Sequence, residues 1–136
     1  MRLPGDSLWR EVRALNLPQE DYAIVGSGPL AAHGLIASVR DVDILARGEA
    51  WQLASSGTET QRGVFGDQIV KRNGGNIEIF DGLAHFDING IIDTAVLIDG
   101  LPFANLEHVL AYKRFLRRPK DLQHIRLIEE YLSRRP

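Results

Sequence analysis

The chain has 136 residues, 44% hydrophobic and 25% charged, with a formal net charge of −2 and no cysteine. That length fits one domain, residues 1–136, with a real core and too little chain for two. Zero cysteines exclude a disulfide framework and thiolate metal ligation. No apolar run reaches the 18 residues of a membrane helix, and the N-terminal MRLPGDSLWREV lacks the apolar centre of a signal peptide, so a cytoplasmic protein is expected.

Residues 6–16 read as an amphipathic helix, with Asp6 or Ser7 as its cap and Leu8, Val12 and Leu15 on one stripe. Asn16 and Pro18 end it. Ala23, Ile24 and Val25 form a short buried strand that runs into the turn Gly26-Ser27-Gly28. Pro29 suits the first helical position, and Leu30 to Leu35 continue as a short apolar helix. A strand, a glycine-serine turn and a helix start offer donors to an anion such as phosphate. Next comes Asp41-Val42-Asp43, leading into Ile44 and Leu45. Strand residues i and i+2 share a face, about 6.6 Å apart. Val42 and Ile44 therefore enter the core while Asp41 and Asp43 look out together. Two carboxylates aimed at one spot call for a cation, which points to a divalent metal.

Gly48 to Ser55 reads as a further short helix, and the Ser/Thr/Gly-rich stretch Ser56 to Gly66 as a loop. Residues 68–71 and 76–80 are strands joined through Asn73-Gly74-Gly75, a hairpin signal. In the second strand Ile77 and Ile79 alternate with Glu78, which therefore leaves the core on the opposite face. Asp81 begins a turn with Gly82, and Asp87 lies between Phe86 and Ile88 in a weaker strand pattern. Ala95 to Ile98 and Leu101 to Ala104 flank Asp99-Gly100, a second hairpin. Asn105 caps a helix with the stripe Leu106, Val109, Leu110, Lys113. That places Lys113 inward, where it needs a carboxylate or a phosphate, unless it snorkels at the helix end. Arg117 and Arg118 complement the helix C-terminus. Pro119 opens the last helix, with Asp121 in its first turn and Leu122, Ile125, Ile128 and Leu132 packing it down. Residues 1–112 carry 8 Lys/Arg against 15 Asp/Glu, whereas residues 113–136 carry 8 against 3. The basic end would meet phosphates or an acidic partner, or form a solvated helical surface.

Gly26-Ser27, a helix, then Asp41-x-Asp43 resembles the signature of the polymerase-β-like nucleotidyltransferase superfamily, above all its minimal bacterial members, among them antibiotic-modifying enzymes and toxin–antitoxin components. The tail, Lys113 followed by Arg118-Pro119-Lys120-Asp121, is similar to the closing segment of those proteins, although His124 stands where they carry a further Asp. The resemblance spans residues 22–132. It implies an α+β fold, a nucleotidyltransferase-like mixed β-sheet flanked by helices with C-terminal helices. It implies transfer of a nucleoside monophosphate from a nucleoside triphosphate to an acceptor hydroxyl, releasing pyrophosphate. Two Mg²⁺ ions, with Mn²⁺ as the alternative, would be held by Asp41, Asp43 and a third carboxylate on a later strand, for which Glu78 is the residue in place. Gly26 and Ser27 would hold phosphates, with Lys113 and Arg40 neutralising their charge.

Three other readings compete. Gly26-Ser-Gly28-Pro-Leu-Ala31 also matches the GxGxxA form of a dinucleotide fingerprint, but the acidic residues start the following apolar run instead of ending it, and hairpins follow. A non-catalytic antitoxin or partner-binding module keeps the fold without the chemistry, with a homodimer or protein partner covering the cleft. A nucleic-acid binder is disfavoured by the acidic body and the lack of interleaved aromatics. The four histidines show no ligand spacing for zinc.

Overall fold

A computed structural model describes residues 7–134. The apolar run after Pro18 becomes β1 (Tyr22–Val25), buried at every position. It pairs antiparallel with β2 (Val42–Ala46), which pairs in parallel with β5 (Ile77–Phe80). β4 (Gln68–Arg72) joins β5 as the expected hairpin, closed by a 3₁₀ turn over Asn73–Gly75. The 56–66 loop contributes β3 (Gln61–Arg62), a two-residue edge strand absent from the sequence reading because neither residue is buried. On the other side β7 (Leu101–Phe103) runs parallel to β1 and antiparallel to β6 (Val96–Ile98). Asp99 and Gly100 both have positive φ, as a two-residue hairpin turn of the primed type needs. The resulting seven-stranded mixed sheet has the order β3-β4-β5-β2-β1-β7-β6.

The alternation of side chains splits the core into two layers. Tyr22, Ile24, Val42, Ile44, Ile77 and Ile79 face one layer, closed by α1 (Ser7–Ala14) through Trp9 and Val12 and by α3 (Gly48–Ser55) through Ala50 and Ala54. Ala23, Val25 and Leu45 face the other layer, closed by α4 (Ile88–Asp93), α5 (Leu106–Leu116) and α6 (Pro119–Ser133). Asp43 and Glu78 belong to this second face, at its open end.

The structure differs from the sequence pattern in a few places. α2 (Gly28–Ala32) stops three residues before Leu35. Gly34 has φ +74°, its N–H bonds to the Ala31 carbonyl and that of Leu35 to the Leu30 carbonyl, which together form a Schellman ending. Asp87 precedes a helix, not a strand, because the Phe86/Ile88 alternation continues into the helical spacing of Ile88, Ile91 and Ile92. Leu122 does not pack α6 down: it is exposed, and buried Ile128 holds the helix in its place, with Ile125 and Leu132 partly covered. Ser7 begins α1, while Asp6 lies outside the described residues. Among the described residues no helix is long and apolar enough to cross a membrane.

Candidate active site

The parallel register of β2 and β5 sets Asp43 directly beside Glu78 on one face of the sheet. Extending the row across four strands gives Val25, Asp43, Glu78 and Lys71. Directly paired residues share a face about 5 Å apart, so Glu78 has a carboxylate on one side and an exposed lysine on the other. Asp41 lies just before β2, two positions from Asp43. All three carboxylates line one cleft of about 630 Å³. Across it stand Arg118 and Lys120 from the α5–α6 junction, with Arg40, Ser27 and His124 completing the polar lining. The cleft is thus acidic on the sheet side and basic on the helix side.

Electrostatics single out Asp43. Burial, then the charges of Glu78 and Asp41, push its carboxyl from 3.8 up to about 6, against a smaller opposing pull from Lys120 and Arg118. Gly26 packs against it with φ +71°, and a side chain there would put its Cβ 3.0 Å from Asp43 Oδ2. Only glycine both adopts that backbone geometry and leaves the carboxylate its space. Gly28 is tighter still: an added Cβ would sit 2.7 Å from Ile24 Cγ2.

Lys113 follows the inward stripe of α5 and is only 1% exposed. Its ammonium meets Asp121 Oδ1 at 3.2 Å and donates to Ser27 Oγ at 3.3 Å. It is therefore not on the cleft wall but behind it, with Ser27 between the ammonium and the open space. Asp121 is fully buried. It accepts from the Arg118 backbone N–H at 3.0 Å and from Arg118 Nε at 2.7 Å, closing a capping box at the start of α6. Burial pushes the Asp121 carboxyl upward, but the Arg118 and Lys113 hydrogen bonds outweigh it and hold the group at about 2. Burial lowers the Lys113 ammonium below its ordinary value despite the pair. Burial and the Lys113 charge likewise lower His124, whose Nδ1 is enclosed with no hydrogen-bond partner among the described residues.

The residues weighed as alternatives to Glu78 are used elsewhere. Asp81 accepts from the Gln68 backbone N–H, and Asp87 stands at the N-terminus of α4. Sequence reading gave no individual site role to Arg118, Lys120 and His124 in the cleft, to Asp121 behind it, or to Lys71, the strand partner of Glu78. Lys71 was readable by counting back across the Asn73–Gly75 turn to its partner Glu78. Asp121 looked like an ordinary first-turn acid, and its full burial depends on where α5 delivers Lys113. His124, noted only as a departure from a pattern, lines the cleft one turn after Lys120.

The carboxylates supply hard oxygen donors and an uncompensated negative charge, the chemistry a divalent ion satisfies. Among the described residues no three His, Asp or Glu side chains are drawn together into a ready ion cage. His33 faces the Pro29 carbonyl at 2.9 Å and packs on Tyr131, away from these groups. The dinucleotide reading fails on topology: that motif requires the strand after the glycine turn to run parallel, and β1 and β2 are antiparallel.

The mixed sheet with helices on both faces and two closing helices is a nucleotidyltransferase-like α+β fold. A solved structure of a "putative nucleotidyltransferase" from Thermotoga maritima matches it with a TM-score of 0.59 and 15% sequence identity, over 98% of this chain and 98% of that one. At that identity the likeness establishes the fold. No protein-family model and no curated protein matches the sequence.

Proposed function

We propose that the cleft binds a nucleoside triphosphate with Mg²⁺ and transfers its nucleoside monophosphate to an acceptor hydroxyl. The observation that carries this reading is the strand register that pairs desolvated Asp43 with Glu78 opposite a basic helix junction. Asp41, Asp43 and Glu78 would hold two ions, which supply charge stabilisation to the attacking and leaving oxygens of an in-line displacement. The backbone N–H groups of the Gly26–Ser27 turn and the Ser27 hydroxyl hold phosphate oxygens. Arg40, Arg118 and Lys120 neutralise the polyphosphate, while Lys113 stands behind Ser27 and bears on the site through it. Glu78 accepts the proton of the acceptor hydroxyl. The acceptor oxygen bonds to the α-phosphorus as the bond to the bridging α–β oxygen breaks, and pyrophosphate leaves.

The test is a thermal-shift screen of the four nucleoside triphosphates with and without Mg²⁺, since a ligand bound by the native state alone raises the melting temperature. Labelled-nucleotide transfer to candidate acceptors follows. A Mg²⁺-dependent shift that disappears in Asp43→Ala supports the proposal. No shift at millimolar nucleotide defeats it and leaves a fold without this chemistry, as a partner-binding module would have. Transfer that survives Asp43→Ala defeats the assignment of the metal ligands.

A further inference from the structure

Resting on the nucleotide reading, we propose that Lys113 is a positioning residue for Ser27: by occupying one lone pair of the serine oxygen it turns the hydroxyl proton away from itself and favours donation into the cleft, toward an acceptor-only oxyanion such as a phosphate oxygen. An ammonium has three N–H donors and no acceptor. In the contact between Lys113 Nζ and Ser27 Oγ, at 3.3 Å, the serine oxygen must therefore accept. A hydroxyl carries one proton and two lone pairs; Lys113 occupies one lone pair, and among the described residues no other hydrogen bond engages the Ser27 side chain, so its proton is free. What remains is the cleft that Ser27 lines.

The device depends on burial. A serine in water turns freely between donor and acceptor roles, and a lysine in water would exchange Ser27 for solvent. Lys113 is 1% exposed, so water does not compete for its protons. The ammonium is held in turn by Asp121 Oδ1 at 3.2 Å, and Asp121 is fixed to the α6 start by the Arg118 backbone N–H and guanidinium. The chain of contacts from Arg118 through Asp121 and Lys113 to Ser27 thus turns the hydroxyl proton away from the buried ammonium before any ligand arrives. Pre-set donors avoid reorganisation on binding. A deprotonated phosphate oxygen, which can only accept, fits that donor, whereas an amide N–H or ammonium placed at the same point meets another donor. Lys113 does this without touching the ligand, which distinguishes it from Arg40, Arg118 and Lys120 on the cleft wall.

The experiment is a double-mutant cycle on affinity for Mg²⁺-tripolyphosphate, measured by titration calorimetry on the full chain, with the four nucleoside triphosphates run alongside. Ser27→Ala removes the donor. Lys113→Gln replaces the donor-only ammonium by an amide that also accepts, freeing the serine to turn. A hydrogen bond to a charged group is worth about 1.5–3 kcal/mol, so Ser27→Ala should bind tripolyphosphate at least about tenfold more weakly, and Lys113→Gln, whose amide oxygen can draw the hydroxyl proton out of the cleft, should lose part of the same affinity. In the Ser27→Ala background, Lys113→Gln should cost nothing further. Equal losses in both backgrounds would show that Lys113 acts by its charge or by general packing, overturning the inference while the nucleotide reading stands. Wild-type protein that binds neither tripolyphosphate nor any nucleoside triphosphate overturns both. Circular dichroism checks that each variant folds. If Lys113→Gln does not fold, Lys113→Met combined with Asp121→Asn removes the ammonium without stranding a buried charge and takes its place in both backgrounds, a loss confined to the Ser27 background supporting the inference and equal losses refuting it.

Discussion

Asp43→Asn is expected to make the metal-free protein more stable at pH 7.5. The Asp43 carboxyl moves from 3.8 to about 6 in the fold, first through burial and then through the charges of Glu78 and Asp41. At 1.36 kcal/mol per tenfold change, ionising this side chain costs the folded state about 3 kcal/mol. Asparagine has nearly the same shape without the charge, but its amide still pays for burial, which leaves a gain of about 2 kcal/mol. The sign follows from proton binding. A carboxyl with a raised folded-state pKa binds its proton more tightly in the native chain, so its stabilising contribution is complete below 3.8 and is lost as pH rises through about 6. The wild-type protein should thus lose stability relative to Asp43→Asn between about pH 4 and pH 6, and the two should differ most above that window. For 136 residues, with an unfolding entropy of about 2.1 cal/mol/K per residue, 2 kcal/mol corresponds to about 7 °C in melting temperature. Thermal unfolding followed by circular dichroism in chelator, at half-unit pH steps from 4 to 8, measures the difference directly. Adding Mg²⁺ should narrow the gap by stabilising the wild type alone. The reasoning is refuted if Asp43→Asn melts at or below the wild type at pH 7.5, or if the difference is flat with pH.

The support behind the turn should respond in the opposite sense. Asp121→Asn leaves Lys113 buried without its carboxylate and should cost about 3–5 kcal/mol at pH 7 in urea unfolding. Because the Asp121 carboxyl is held down at about 2, its contribution is present above 3.8 and fades as pH falls through 2, so the deficit should shrink in that range. Gly28→Ala places a methyl 2.7 Å from Ile24 Cγ2 and should cost about 1–3 kcal/mol by overpacking, visible as a lower urea midpoint at unchanged slope. Arg117 ends α5 in the left-handed region at φ 50°, so Arg117→Gly should raise stability by about 0.5 kcal/mol, the relief of strain exceeding the entropy that glycine adds to the unfolded chain. A lower melting temperature in that variant would show that the arginine side chain contributes more than its backbone costs.

Local chemistry carried most of the fold into the sequence. The strands announced themselves by alternation or by short apolar runs, the hairpins by Asn-Gly-Gly and Asp-Gly, and α5 by an Asn cap that accepts from the His108 N–H at 2.9 Å. Asp41, Asp43, Glu78, Ser27 and Arg40 were named from the sequence and share one cleft, which Glu78 joins because β2 and β5 run parallel. That pairing links segments more than thirty residues apart, and nothing local encodes it. The same limit explains Lys113 and Asp121. The stripe on α5 placed the lysine inward, but whether it met a phosphate or a carboxylate depended on how α6 folds back over α5. Leu122 misled for the complementary reason: it has the spacing of a core residue, and only the tilt of α6 against the second layer decides which leucines are covered.

Two costly devices meet at one two-residue turn. On one side of Gly26–Ser27 the fold keeps Asp43 partly desolvated among like charges, and on the other it buries the ammonium of Lys113. Stability alone favours neither, since an amide in the first place and an apolar pair in the second would fold at least as well. Elsewhere charges are arranged cheaply: Arg47 bonds to Asp21 and Asp93 at the protein surface, and Arg114 to Glu129 on the exposed sides of α5 and α6. Among the described residues these two desolvated charges flank the place where backbone, hydroxyl and carboxylate converge on open space. Costly charge placement of that kind is what a packing core avoids, and it marks this cleft as the candidate functional site.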